Sequence, residues 1–190
     1  MKAKIAIVAL AGLSCLGSAQ SWQFGDPAPE FSLMSTEGKR LFLRDLQNNG
    51  PIVLYFIRYG DAVNNQAAPW IHRIIKTYVP GRAKWYGVIT EKRDRADSWQ
   101  AEFNPPYRLL LDPEYQAVRA FKIESSPAIV LIGADGKIVK EWQGYSGYWL
   151  KDLNHYMARV NDSKFKYIDF NSTPSTTRYG AEFIVGAKHP

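Results

Sequence analysis

Apolar and polar positions change period several times along this chain, and each change marks an element. Pro51-Ile-Val-Leu-Tyr-Phe-Ile57 is continuously apolar and rich in β-branched and aromatic residues, which predicts a strand buried on both faces. Beyond Asp61 the spacing becomes helical. Ile71, Ile74, Ile75 and Tyr78 share one face, and Pro80-Gly81 ends the helix. Pro69 lies inside it, removes one backbone donor and is expected to kink it. Lys84-Trp-Tyr-Gly-Val-Ile-Thr90 reads as the next strand, followed by a charged loop from Glu91 to Asp97. This alternation of strand and helix indicates βαβ units and parallel pairing.

A short helix near 96–103, a brief strand at Tyr107 to Leu111 and a helix near 113–121 follow. Ala128 to Ile132 and Lys137 to Trp142 then flank Gly133-Ala-Asp-Gly136, a turn-rich connection expected to close a hairpin. A last helix over 147–160 places Leu150, Leu153, Met157 and Val160 on one face. At the other end, residues 22–46 predict an extended entry segment and a short hairpin turning at Glu37-Gly38. Residues 161–190 are polar, lack clear periodicity and are expected to form an extended or partly disordered tail.

The N-terminus changes the picture of where the chain works. Met1-Lys-Ala-Lys4 is basic, Ile5 to Leu16 is almost wholly apolar, and Gly17-Ser-Ala19 supplies a small-residue cleavage site. That is the layout of a secretory signal peptide over residues 1–19. The apolar run is shorter than the roughly 20 residues a membrane span needs. The expected product is therefore secreted or periplasmic, with no stable span after cleavage. Lipid anchoring at Cys15 ranks second, because Gly12 and Leu13 fit poorly the positions where such sites carry leucine and a small residue. Cys15 is the single cysteine. Cleavage removes it, leaving no disulfide staple and no thiolate for sulfur exchange. Losing Lys2 and Lys4 also lowers the formal charge of +6 by two, and no long Lys/Arg block marks a nucleic-acid surface. The remaining chain of about 170 residues fits one domain with a sizeable core.

In this order the pieces resemble the thioredoxin-like superfamily, in particular exported redoxins of the AhpC/TSA and TlpA/ResA type. The resemblance covers about residues 22–160, and the domain is placed at 20–160 with a tail over 161–190. It rests on Gly25-Asp-Pro-Ala-Pro-Glu-Phe-Ser-Leu33 as the opening segment and on Pro51 to Phe56 as the first central strand. Ser125-Ser-Pro127 matches the loop whose proline is cis, and Asp135-Gly-Lys-Ile-Val139 the hairpin after it. The implied fold is α/β: a central mixed sheet flanked by helices, with an N-terminal extension and hairpin. Counted from Phe56, the family's Cys-x-x-Cys falls on Asp61 and Asn64, and its later helix proline on Pro69. A peroxidatic Pro-x-x-x-Thr-x-x-Cys pattern is absent.

Where the family carries a thiolate at a helix N-terminus, this chain offers a carboxylate to the same dipole. Asp61 is expected to be the N-cap, accepting from the N–H of Val63 or Asn64 and contributing about 0.5–2 kcal/mol over alanine. The sharper alternative is a repurposed site of Asp61, Asn64, Ser126 and Pro127. The resemblance implies a groove beside the cis proline that grips extended peptides by backbone bonds. A protein or peptide partner would then bind without being reduced. Lys92, Arg93 and Arg95 follow a strand end that should lie near that groove and would favour acidic partners, although Glu91 and Asp94 are interleaved.

Other chemistry is poorly supported. His72, His155 and His189 show no metal-ligand spacing, Asp152 and His155 included, so neither metal nor cofactor is implied. Trp142, Tyr145, Tyr148, Trp149 and Tyr156 are expected to pack the core rather than form a stacking surface. Asn161-Asp-Ser163 and Asn171-Ser-Thr173 match the glycosylation pattern, its relevance set by the host. The preferred expectation is a redox-inactive domain serving as a protein-binding, peptide-binding or structural module, not an enzyme. The alternative is that the oxidoreductase or antioxidant role survives with a thiol supplied by a partner. A hydrolase or isomerase built on Asp61 ranks last, for want of a companion base.

Overall fold

A computed structural model describes residues 22–47 and 50–183. The proposed signal segment, Cys15 and His189 therefore lie outside the described residues. In chain order the elements are β1 (Ser32–Ser35), β2 (Arg40–Phe42), α1 (Leu43–Gln47), β3 (Ile52–Ile57), α2 (Ala62–Thr77), β4 (Lys84–Ile89), α3 (Arg93–Phe103), β5 (Arg108–Leu111), α4 (Gln116–Ala120), β6 (Ala128–Ile132), β7 (Ile138–Gln143) and α5 (Gly147–Val160).

The strands form one sheet in the order β2-β1-β5-β4-β3-β6-β7. β3 pairs in parallel with β4, and β4 with β5, as the alternating pattern requires. β6 joins β3 antiparallel and turns back into β7, the hairpin expected at Gly133 to Gly136. Every residue of β3 and of β6 is buried, which explains their unbroken apolar composition. Alternate residues feed two cores. Val53, Tyr55 and Ile57 pack under α2 and α5, whereas Ile52, Leu54 and Phe56 pack under α1 and α4. Among the described residues no helix is long and apolar enough to cross a membrane.

Three local expectations need correction. Glu91 to Asp97 is not a loop: α3 begins at Arg93, and Arg93 and Arg95 pair with Asp97 and Glu91 at 3.6 Å each. One-turn charge spacing on a solvated face stabilises a helix as well as a loop. α1 was not foreseen, because five residues are too few to show a period. Residues 161–183, expected as part of an extended or partly disordered tail, are extended and closely bound. Ile168 and Phe170 are buried in the core beneath α2 and α5, and Phe183 in the opposite one. α2 itself runs through Pro69 as one helix.

Two buried ionisable groups give the fold a testable pH response. The Asp112 carboxyl accepts the N–H groups of Gln116, Ala117 and Val118 at 2.6–3.0 Å, yet burial outweighs these bonds and raises its pKa to about 6. His72 lies 3.0 Å from the Tyr107 hydroxyl, and burial, helped by Lys76, lowers its pKa to about 4. The signs oppose. Asp112 takes up a proton more readily when folded, so its contribution is fully present below about pH 4 and is lost as pH rises towards 6. His72 is held neutral when folded, so its contribution is present above about pH 6.5 and is lost as pH falls towards 4. Each amounts to about 3 kcal/mol. His72→Gln leaves the Asp112 slope uncompensated. Urea unfolding of this variant at pH 4 and pH 6 should show a drop of about 2 kcal/mol relative to the parent chain, because each folded group is only half titrated at one end of that window. Parallel pH profiles for the two proteins would contradict this assignment.

Candidate functional site

The candidate site forms where β3 ends and α2 begins. The chain leaves β3 through Arg58, Tyr59 and Gly60, whose φ of +73° suits the turn, and enters α2 at Asp61. Asp61 is the N-cap: its Oδ1 accepts the Asn64 N–H at 2.8 Å. Asn64 is fully buried one turn on, and its Oδ1 accepts the Tyr55 hydroxyl at 2.9 Å. Burial, with the Asp61 charge adding to it, raises the Tyr55 pKa well above its ordinary value and keeps that hydroxyl a donor. Asp61, Asn64 and Tyr55 thus form a polar line from the end of the sheet into the core.

Facing Asp61 is the loop before β6. The Ser126–Pro127 bond is cis, and Ser126 is fully buried. The structure therefore brings Asp61, Asn64, Ser126 and Pro127 to one place. It does not add all of the basic trio. The Arg95 guanidinium lies 5.8 Å from the Tyr59 ring centre, but Lys92 and Arg93 line a different surface hollow with Arg40 and Asp112.

The space between the two loops is filled by the chain itself. Residues 178–183 run through it as an extended strap. Arg178 and Tyr145 exchange both backbone bonds at 2.9 Å. The Gly180 N–H donates to Ser126 O at 2.6 Å, the Ser126 N–H to Ala181 O at 3.3 Å, and the Phe183 N–H to Glu124 O at 2.8 Å. From the α2 side, Asp61 Oδ2 accepts the Ala181 N–H and the Arg58 guanidinium donates to Glu182 O. Asp61 thus serves two segments, one oxygen for the helix and one for the strap.

The close approach needs glycine. A Cβ at Gly180 would lie 2.6 Å from Ser126 O and nearer still to the Asp61 carboxylate. Opposite, Gly144 has a φ of +72°, and a Cβ there would lie 2.5 Å from Arg178 O. Phe183 anchors the strap's end, 4 % exposed and edge-on to Tyr115 at 6.4 Å. Full burial of such a ring contributes about 1.5–3 kcal/mol. Upstream, Phe170 packs against Trp70 at 5.9 Å, and the Gly147 N–H donates to Pro174 O at 2.9 Å. Among the described residues, Ser126 Oγ and Asn64 Nδ2 are buried here with no hydrogen-bond partner.

Other sequence candidates have structural employment. Asp152 accepts the Trp142 indole N–H at 2.9 Å, and His155 stacks on Phe165 at 4.3 Å between ring centres. Trp142, Tyr145 and Trp149 are buried as expected, whereas Tyr148 stands exposed at the start of α5. Asn161 holds the Ala83 N–H and the Met157 carbonyl with its side chain, while Asn171 is exposed. A cavity of about 670 Å³, lined by Tyr78, Trp85, Tyr107 and Arg108, faces the opposite ends of the central strands from Asp61.

The sequence reading missed Arg58, Tyr55, Glu124 and the strap itself. The available signal was Ile168, Phe170 and Phe183, large apolar residues in a segment otherwise polar enough to stay in water.

The sheet order, the helix rising from the end of β3 and the cis proline facing it define a thioredoxin-like redoxin. A profile of the AhpC/TSA family matches residues 24–141, and the chain belongs to that family. It is similar to the thiol-disulfide oxidoreductase ResA of Bacillus subtilis, with 24% identity over 61% of this chain and 65% of that protein's length, just under two thirds of it. Among solved structures it resembles a putative thiol:disulfide interchange protein DsbE from Chlorobium tepidum, with a TM-score of 0.67, 22% identity and coverage of 74% of this chain and 99% of the other. A secreted Mycobacterium tuberculosis disulfide oxidoreductase homologous to Escherichia coli DsbE gives a TM-score of 0.59 at 20% identity, covering 68% and 96%. At these identities the structural matches speak for the fold.

Proposed function

We propose that this protein is an exported, redox-inactive member of the AhpC/TSA family that works as a protein-binding, peptide-binding or structural module. The observation that carries the reading is the double engagement of Asp61. In the resemblance, Asp61 occupies the position of the attacking thiol and Asn64 that of its partner. The helix N-terminus that would stabilise a thiolate instead stabilises a carboxylate, and that carboxylate holds the strap. Neither group can attack a disulfide, since exchange requires a thiolate. Cys15, the chain's single cysteine, falls in the segment expected to be cleaved. Export to an oxidising compartment follows from the same N-terminal pattern.

The names of the relatives favour a second reading, in which oxidoreductase or antioxidant chemistry persists with a thiol supplied by a partner. That thiol would have to reach Asp61 past the strap, so this reading requires residues 178–183 to leave. Hydrolysis or isomerisation at Asp61 has little support, because both carboxylate oxygens already accept backbone donors.

The deciding experiment uses the exported form in insulin-disulfide reduction and peroxide consumption. No turnover above buffer is expected. Turnover abolished by Asp61→Ala would overturn the reading, and turnover appearing only with a co-purified thiol protein would establish the second one.

A further inference from the structure

We propose that the strap is an internal ligand, and that the groove it fills selects extended polypeptides carrying glycine followed, three residues later, by an aromatic side chain. The inference rests on the non-catalytic reading above and names the class of partner for that site.

The strap's contacts separate into those that any peptide can make and those that only certain side chains can make. The N–H of Gly180, both polar groups of Ala181, the carbonyl of Glu182 and the N–H of Phe183 are all bound through backbone. These bonds require extended conformation and say nothing about sequence. The Ala181 and Glu182 side chains are exposed, so their identity is free. Gly180 and Phe183 differ. No Cβ fits at 180 against the Asp61 carboxylate and Ser126 O. The ring at 183 is buried beside Tyr115 within the core that also contains Phe121 and Ile123. The selected pattern is therefore Gly-x-x-aromatic.

Asp61 sharpens the selection. It accepts the N–H of the residue after glycine and so rejects proline there, which has no such donor. It also turns the absent Cβ into a requirement, because a methyl group would be pressed against a carboxylate already fixed by the N-terminus of α2. A polypeptide offering this pattern competes with the chain's own segment for the same bonds, and the strap sets the threshold it must exceed.

The test uses full-length Gly180→Ala, in which the strap cannot seat, and full-length Phe183→Ala, which frees the groove without altering the surface beside Asp61. The probe is the labelled peptide Thr-Arg-Tyr-Gly-Ala-Glu-Phe, with two comparators in which its glycine or its phenylalanine is replaced by alanine. Anisotropy should show the parent peptide binding either variant at least tenfold more tightly than the unaltered chain. Both comparators should bind at least tenfold more weakly than the parent peptide. Hydrogen exchange should show the Ser126 amide opening in both variants. Equal affinity for the three peptides, no binding by either variant, or a Ser126 amide as protected in both variants as in the parent chain would each overturn the proposal. Insulin reduction by the same proteins keeps the two readings apart. Turnover would sink the redox-inactive assignment and with it the ground of this inference, whereas failed selectivity without turnover would sink this inference alone.

Discussion

Asp61→Ala is expected to cost the protein about 2–5 kcal/mol and to release residues 178–183 from the groove. The lost N-cap accounts for about 0.5–2 kcal/mol. The Ala181 N–H, left without its charged acceptor, accounts for about 1.5–3 kcal/mol more. The two losses are coupled through one carboxylate, so one substitution should disturb two segments 120 residues apart in sequence. Denaturant unfolding gives the total. Amide exchange gives its distribution, with the Asn64 amide opening at the helix and those of Ser126 and Ala181 at the strap. Asp61→Asn retains one acceptor oxygen and should fall between the two. An Asp61→Ala protein as stable as its parent, with the strap amides still protected, would remove Asp61 from the centre of this account.

Restoring sulfur should have the largest effect on chemistry. Asp61→Cys together with Asn64→Cys places two thiols with the family's spacing at the N-terminus of α2, where unpaired N–H groups favour a thiolate. Replacing Asp61 also removes the acceptor of the Ala181 N–H, so the strap is released with it and the pair is expected to reduce insulin without a further change. Adding Gly180→Ala, which unseats a segment already freed, should leave that rate unchanged. The exchange costs stability: replacing Asn64 leaves the buried Tyr55 hydroxyl without its acceptor, about 1–3 kcal/mol, in addition to the bonds lost with Asp61. Cysteines that stay unreactive after the strap is displaced would show that these two positions are not where the fold places its thiols. A large rise on adding Gly180→Ala would show that the strap stays seated without Asp61.

Most of the scaffold was legible from periodicity, and the reason is burial. β3 and β6 lie between two cores, so every position in them must be apolar, and a run such as Ile52 to Ile57 admits little else. α5 could be bounded correctly at both ends because one face packs and the other is solvated. α3 was misread where its first turn carries only solvated charge, and α1 was too short to show a pattern. Asp61 could be read as a cap because capping is a local event, involving one side chain and an N–H three residues away.

The sequence by itself determined that the chain holds a single cysteine, and through the resemblance it placed a carboxylate and an amide at the family's thiol positions. It also determined the order of strands and helices that makes this a mixed α/β sheet. Only the tertiary structure decided what fills the groove. Gly180 and Phe183 lie 54 and more residues beyond Ser126 in sequence, and no local period relates them to Asp61 or Tyr115. Their meaning depends on a close backbone approach and a buried ring, which arise only once the chain has folded back on itself.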